Sequence, residues 1–185
     1  MIKRRFDDWL LLNSFNHFEV SFTHIGGTIH PTKFTDTNGK PKSEILASDL
    51  EVDYLDNEPL KQFLFDSVYF DSDLEKQNLI NSEIKEVQVF TKIPKNSIKI
   101  PVAGGKSYSP DFAYIIKTSN GDILNLILES KNVDGDDNLR LEEHQKIKHA
   151  EKLFNEIDLG IKVVFKEQFK QDGIRQIIEN ALNNG

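Results

Sequence analysis

Apolar and polar residues alternate most regularly in the middle of the chain, in two runs that flank a turn signal. The runs are Phe112-Ala113-Tyr114-Ile115-Ile116 and Ile123-Leu124-Asn125-Leu126-Ile127-Leu128, with Asn120-Gly121 between them. That dipeptide predicts a two-residue hairpin turn, because both central residues of such a turn need positive φ. A hairpin with strands over 109–117 and 123–131 follows. Val87 to Lys92 alternates as a further strand, which Pro94 stops. Helical spacing takes over on either side. Residues 71–82 read as a helix with Ser72 or Asp71 at the N-cap and Leu74, Asn78 and Leu79 on one face. The acid-rich loop 133–138 leads into a long helix over 139–156, in which Leu141, Ile147, Ala150, Leu153 and Phe154 are broadly periodic. Gly160 ends that segment, Ile161 to Phe165 is a strand, and 174–182 is a closing amphipathic helix. The predicted order is αβββαβ with one last helix.

The first 60 residues show less pattern. Phe18 to Thr23 alternates like a strand, Gly26-Gly27 marks a turn, and residues 35–42 form a polar loop with Asn38-Gly39 and Pro41. Residues 1–60 are therefore expected to be strands or a linker packing on a core formed by 61–185. No internal repeat and no low-complexity tract is present.

Pairing the two central strands brings Asp111, at the start of the first, beside Glu129, at the end of the second. Side chains alternate along a strand, so Glu129 and Lys131 share a face while Ser130 points away. Two carboxylates and an ammonium thus converge at one sheet edge. Carboxylate oxygens suit Mg²⁺ and Mn²⁺, which keep several waters and engage phosphate oxygens. A metal there lowers the pKa of a bound water and stabilises charge on a transferring phosphate. Lys131 would orient or help deprotonate the attacking water and favour the charged transition state. An acid-x-lysine triplet alone reads as an edge-strand ion pair. Joined to Pro110-Asp111 across a hairpin, it reads as a metal site.

Ser109-Pro110-Asp111 with Glu129-Ser130-Lys131 resembles the PD-(D/E)xK nuclease motif. The wider stretch is similar to one branch, the endonuclease domain at the C-terminus of type III restriction enzyme Res subunits. The matching pieces are Ser72 to Lys76, Val89 to Pro94, Ile100 to Val102, Tyr108 to Ala113, Leu128 to Lys131, then Leu139-Arg140, Glu143, Lys146-Ile147 and Ala150. They run in order across residues 70–165. Phe112 departs from the more usual Trp, and Ser130 from the frequent Thr; neither is an acid or lysine position. The resemblance implies an α/β, restriction-endonuclease-like core in αβββαβ order, with a mixed central sheet flanked by helices. It also implies Asp111, Glu129 and Lys131 as catalytic residues, with the Ser130 carbonyl a further metal ligand beside Asp111 and Glu129. Glu75 corresponds to a metal-binding glutamate of relatives; the alternative is a first-turn acid favoured by the helix dipole.

Net charge is −7 over 185 residues, which argues against a nucleic-acid partner until its distribution is considered. Residues 43–75 hold ten acids against one lysine, whereas 85–106 hold five lysines and one glutamate. Lys106, Arg140 and Lys146 are the candidate DNA contacts, with a surface pair between Glu143 and Lys146 as the plainer reading. Gly104-Gly105-Lys106-Ser107 ends like a P-loop but has no glycine at the required earlier position, Ile100, and a strand follows it. His24 and His30 lack a third ligand nearby, and His144 and His149 do not share a helix face. Trp9 and the phenylalanines are expected in the core. The absence of cysteine excludes disulfides and thiolate metal sites and fits a reducing cytoplasm. No run approaches the roughly 20 apolar residues that span a bilayer. The acids within Phe6-Asp7-Asp8-Trp9 are not those of a signal peptide.

The expected function is Mg²⁺-dependent hydrolysis of double-stranded DNA, with Mn²⁺ able to substitute. The resemblance implies the cleavage module of a larger restriction subunit, site-specific only within a complex. ATP would act through an upstream helicase or translocase domain absent from this chain, and a modification (methyltransferase) subunit would read sequence. The alternatives are a free-standing nuclease of the same superfamily, such as a junction resolvase, and an inactive DNA-binding or assembly module.

Overall fold

The two runs flanking Asn120-Gly121 form the centre of a four-stranded sheet in the computed structural model. It describes residues 2–22, 36, 38, 53–54, 62–64, 69–70, 72–93, 98–156 and 161–183. The elements begin with helix α1 (Ile2–His17) and a two-residue pair, β1 (Asp53–Tyr54) with β2 (Tyr69–Phe70). Helix α2 (Asp73–Asn81) and strand β3 (Val87–Lys92) follow, then a small hairpin of β4 (Ile100–Val102) and β5 (Lys106–Tyr108). The central hairpin is β6 (Phe112–Lys117) and β7 (Ile123–Lys131). Helix α3 (Leu141–Glu156), strand β8 (Val163–Phe169) and helix α4 (Ile174–Asn183) complete the order. The main sheet runs β3-β6-β7-β8, antiparallel except for the parallel β7–β8 pair that α3 connects. The predicted αβββαβ order with a last helix is present, with the β4–β5 hairpin inserted.

Period-two alternation gives the sheet two apolar faces. Phe112, Tyr114 and Ile116 of β6 and Leu124, Leu126 and Leu128 of β7 pack with Leu79 of α2 and Ile174, Ile177 and Ile178 of α4. On the opposite face Ile127 and Phe165 pack with Ile147, Ala150 and Leu153 of α3. Both faces are covered, as a sheet with a parallel crossover requires. Ser72 caps α2 by accepting from the Glu75 backbone N–H at 3.2 Å.

The turn after β6 differs from the two-residue expectation. Thr118 N–H donates to the Asp122 carbonyl at 2.9 Å, and Gly121 N–H donates to the Thr118 carbonyl at 3.0 Å. The loop is therefore Ser119-Asn120-Gly121, and Gly121, at φ +89°, supplies the left-handed residue that closes it.

The N-terminal reading is corrected more deeply. Residues 2–17 are helical, and 18–22 belong to no strand. Thr23, His24, Gly26-Gly27, His30 and most of the 35–42 loop lie outside the described residues. Trp9 is 43% exposed, and Phe6 and Phe18 are exposed as well, so these aromatics are not core. Phe63, Phe90 and Phe112 are. Helix α1 is fixed by three contacts on its inner side. Asp8 pairs with Lys106 at 2.5 Å, and Phe15 meets the ring of His149 edge-on at 4.7 Å. The Asp7 carbonyl lies so close to Gly104 that a Cβ there would sit 2.3 Å from it. His149 itself receives the Ala103 N–H at Nε2 (3.1 Å) and meets the Gln145 carbonyl at Nδ1 (2.6 Å), so its proton is on Nδ1.

Gly104→Ala is expected to destabilise the chain by about 1–2 kcal/mol from its left-handed φ of +83° alone. The clash with Asp7 adds to that and should pull α1 from its seat. Hydrogen exchange checks this: amides of α1 should exchange faster while those of β6 and β7 keep their protection. Unchanged protection of α1 would overturn the account.

Candidate active site

The register of β6 and β7 decides what meets at their paired ends, which lie in the interior of the sheet rather than on the expected edge strand. Phe112 pairs with Leu128, which leaves Asp111 beside Glu129 at the end of the ladder. The Ser130 backbone N–H donates to Asp111 Oδ2 at 2.7 Å, clamping the carboxylate across the strands. Asp111 is further held by its own N–H to the Leu128 carbonyl (3.1 Å) and by the Ile93 N–H on its carbonyl (2.7 Å). Glu129 and Lys131 share the face covered by α3, and Lys131 Nζ lies 2.8 Å from Glu129 Oε1. Lys131 also reaches Glu143 of α3 at 3.6 Å. Glu143 thus faces Lys131, while Lys146 pairs with Glu142 at 3.0 Å, which replaces the expected Glu143–Lys146 pair.

Burial sets the electrostatics. Desolvation and then the charge of Glu129 push the Asp111 carboxyl up to about 7, against the opposing pull of the Ser130 N–H, Lys131 and Lys92. Burial also raises Glu129, partly offset by Lys131. Burial works against the Lys131 ammonium, but Glu129, Glu143 and Asp111 outweigh it and hold its pKa above the usual value. Glu129 Oε2 is buried and has no hydrogen-bond partner among the described residues. An orphaned carboxylate oxygen beside a second desolvated carboxylate is a donor set that fits a hard divalent cation.

Ser130 turns its side chain to the opposite face, into a buried polar network. Its hydroxyl lies 3.2 Å from Gln168 Oε1 and 3.3 Å from Asn78 Nδ2. Asn78 and Gln168 exchange reciprocal amide hydrogen bonds of 2.5 and 2.8 Å, which tie α2 to β8. Glu75 is on this face too, buried rather than exposed in the first turn. Its Oε2 accepts from Lys92 Nζ at 2.6 Å. Among the described residues no three acidic or histidine side chains gather closely enough to form a ready-made metal cage. Asp111 and Glu129 are brought together, and Glu75 is placed with Lys92.

Of the candidate DNA contacts, Lys106 is tied to Asp8, and Lys146 is near enough for its charge to act on Glu129. Arg140 is exposed just before α3, where its carbonyl accepts the Glu143 and His144 N–H groups. Lys92 escaped the sequence reading. Its signal was present: period two puts Lys92 on the same inward face as Phe90. Tyr108 was also missed; its hydroxyl is buried without a partner among the described residues, and burial followed by Glu129 raises its pKa strongly.

A family model described as an endonuclease domain matches residues 61–172, which include Glu75, Lys92, Asp111, Glu129 and Lys131. The chain belongs to the endonuclease-domain family. Within curated proteins it is 57% identical over 183 residues to the type III restriction-modification enzyme EcoPI Res subunit of Escherichia phage P1. It is 56% identical over 183 residues to the EcoP15I Res subunit of Escherichia coli. Each alignment covers 98% of this chain and 19% of the relative, so the chain spans about a fifth of their length. The StyLTI Res subunit of Salmonella typhimurium is 43% identical over 47 residues, 25% of this chain and 5% of that subunit. No solved structure matches. For an endonuclease-domain chain, the mixed sheet flanked by helices is the expected restriction-endonuclease-like architecture. No helix among the described residues is long and apolar enough to cross a membrane.

Proposed function

We propose that this chain hydrolyses phosphodiester bonds of double-stranded DNA with a divalent ion, Mg²⁺ or Mn²⁺, as the cleavage module of a type III restriction enzyme. The observation that carries this reading is the meeting of Asp111 and Glu129 where the central strands β6 and β7 end, with Lys131 2.8 Å from Glu129. Asp111, Glu129 and the Ser130 carbonyl would hold the ion. When bound, it would polarise the phosphate and lower the pKa of a water. Lys131, kept protonated by its carboxylate neighbours, donates to and orients the attacking water and offsets charge developing on the phosphate. The hydrogen bond from the Ser130 N–H keeps Asp111 aimed at the same point. Residues 61–185 form the cleavage unit, with 1–60 an extension of it. The Res relatives favour a motor region elsewhere in a longer polypeptide and a modification subunit as partner, in the cytoplasm. Lys146, Arg140 and Lys106 line the approach of the DNA backbone on the α3 side.

Titration of duplex DNA with and without Ca²⁺, at two salt concentrations, tests this. Ca²⁺ fills oxygen sites without supporting much hydrolysis. Binding should be weak without metal, because the net charge of −7 repels phosphate. It should tighten with Ca²⁺, as the buried carboxylates are neutralised, and weaken with salt. Tight binding indifferent to both would instead favour an inactive recognition module.

A further inference from the structure

Tyr108 carries a buried hydroxyl that the cleavage site described above does not use. It ends β5, in register with Ile100, just upstream of Asp111. Its ring packs against the apolar cluster beneath α3 that holds Ile127 and Phe165. Period two puts Glu129 on the same face as Ile127, so phenol and carboxylate share the α3 side of the sheet. Among the charges that act on the phenol, Glu129 acts most strongly, ahead of Glu151, Asp111 and Glu167. Burial and these four acids hold the phenol protonated, which makes it a donor and not a base.

The Tyr108 hydroxyl and Glu129 Oε2 are both buried and both without a hydrogen-bond partner among the described residues. One is a donor and the other an acceptor. The other three acids have other outlets. Glu151 is exposed, Glu167 is half-buried, and Asp111 already accepts from the Ser130 N–H. Tyr114 shows the ordinary arrangement of a buried phenol, with its hydroxyl 3.1 Å from Ser82 Oγ. A carboxylate that binds metal is commonly fixed by a hydrogen bond from a neighbour. Two carboxylate oxygens offer about four lone-pair sites, enough for Lys131 on Oε1, for an ion and for one further donor.

We propose that Tyr108 is a positioning residue of the cleavage site, its hydroxyl donating to Glu129 and fixing that carboxylate as it takes up a divalent ion. Lys131 then holds one oxygen of Glu129 and Tyr108 steadies the other. This rests on the metal-dependent reading above.

Calorimetric titration of the chain with Ca²⁺ at pH 8, beside thermal unfolding in chelator, separates this role from a structural one. Tyr108→Phe keeps the ring and removes only the hydroxyl. It should weaken Ca²⁺ binding by about tenfold to a hundredfold, the usual effect of losing a hydrogen bond to a metal ligand. Its unfolding midpoint in chelator should equal or exceed that of wild type, because a buried hydroxyl without a partner has been removed. Tyr114→Phe should do the reverse, lowering the midpoint through loss of the Ser82 contact and leaving Ca²⁺ affinity unchanged. An affinity loss below about tenfold in Tyr108→Phe would overturn the proposal and leave the metal reading intact. So would a loss accompanied by a lower midpoint in chelator, or an equal loss in Tyr114→Phe, since either would make the effect a general loosening of the fold. No Ca²⁺ binding by the wild-type chain would instead sink the metal reading itself, and the proposal with it.

Discussion

Asp111→Ala or Lys131→Ala, placed in an assembled restriction enzyme carrying this chain, should reduce DNA cleavage by at least about a hundredfold, roughly 3 kcal/mol of barrier. The two substitutions remove different things. Asp111→Ala takes away one of the two carboxylates proposed to hold the ion, and the acceptor for the Ser130 N–H. Lys131→Ala leaves Glu129 buried with its Oε1 contact gone and its Oε2 still unpartnered. Ion binding should fall with the first and persist with the second, because removing Lys131 makes the pocket more negative. Overall folding should be preserved in both. Cleavage products resolved on a gel, with circular dichroism as the folding control, give the answer. Undiminished cleavage by either variant would exclude the mechanism.

How far the sequence anticipated this arrangement depends on whether a residue's environment follows from its neighbours in the chain. Strands β3, β6 and β7 and helices α2 and α4 obey simple periodicity, and their bounds fell within two or three residues of expectation. The convergence of Asp111 with Glu129 follows from one hairpin register, so it was legible too. Helix α1 was not. Its apolar residues surround it, with Leu11 buried and Ile2, Phe6 and Trp9 exposed, so no single stripe marks an amphipathic helix. Strands β4 and β5 are three residues each and include Pro101, too short for alternation to register. Strand β8 runs on to Phe169 through Gln168, a polar residue on an inward face. Only its amide exchange with Asn78, 90 positions earlier, explains that burial. The Glu75–Lys92 pair is similar: period two turns Lys92 inward, but only the packing of α2 on β3 brings Glu75 to it. Long-range polar pairing is the part of this fold that local pattern does not encode.

The same burial that equips the site should make the metal-free fold sensitive to pH in a direction the acids dictate. Asp111, raised to about 7 in the folded chain, has an ordinary value near 4 when unfolded. The folded state therefore holds its proton more tightly, and stability is lost as pH rises from about 4 through 7. Ionising a carboxyl so displaced costs the fold at most about 4 kcal/mol, and the penalty is shared with Glu129, so about 2 kcal/mol is expected for Asp111 alone. Asp111→Asn keeps an oxygen to accept from the Ser130 N–H and removes the charge. Without divalent ions, this variant should be more stable than wild type by about 2 kcal/mol at pH 8, with the difference vanishing near pH 4. Adding Ca²⁺ at pH 8 should stabilise the wild-type chain and leave the variant little changed, because the ion binds the ionised carboxylates. Denaturant unfolding in chelator at several pH values measures the difference directly. An Asp111→Asn chain less stable than wild type at pH 8, or a difference that does not change with pH, would show that Asp111 is not held as a desolvated, metal-awaiting carboxylate.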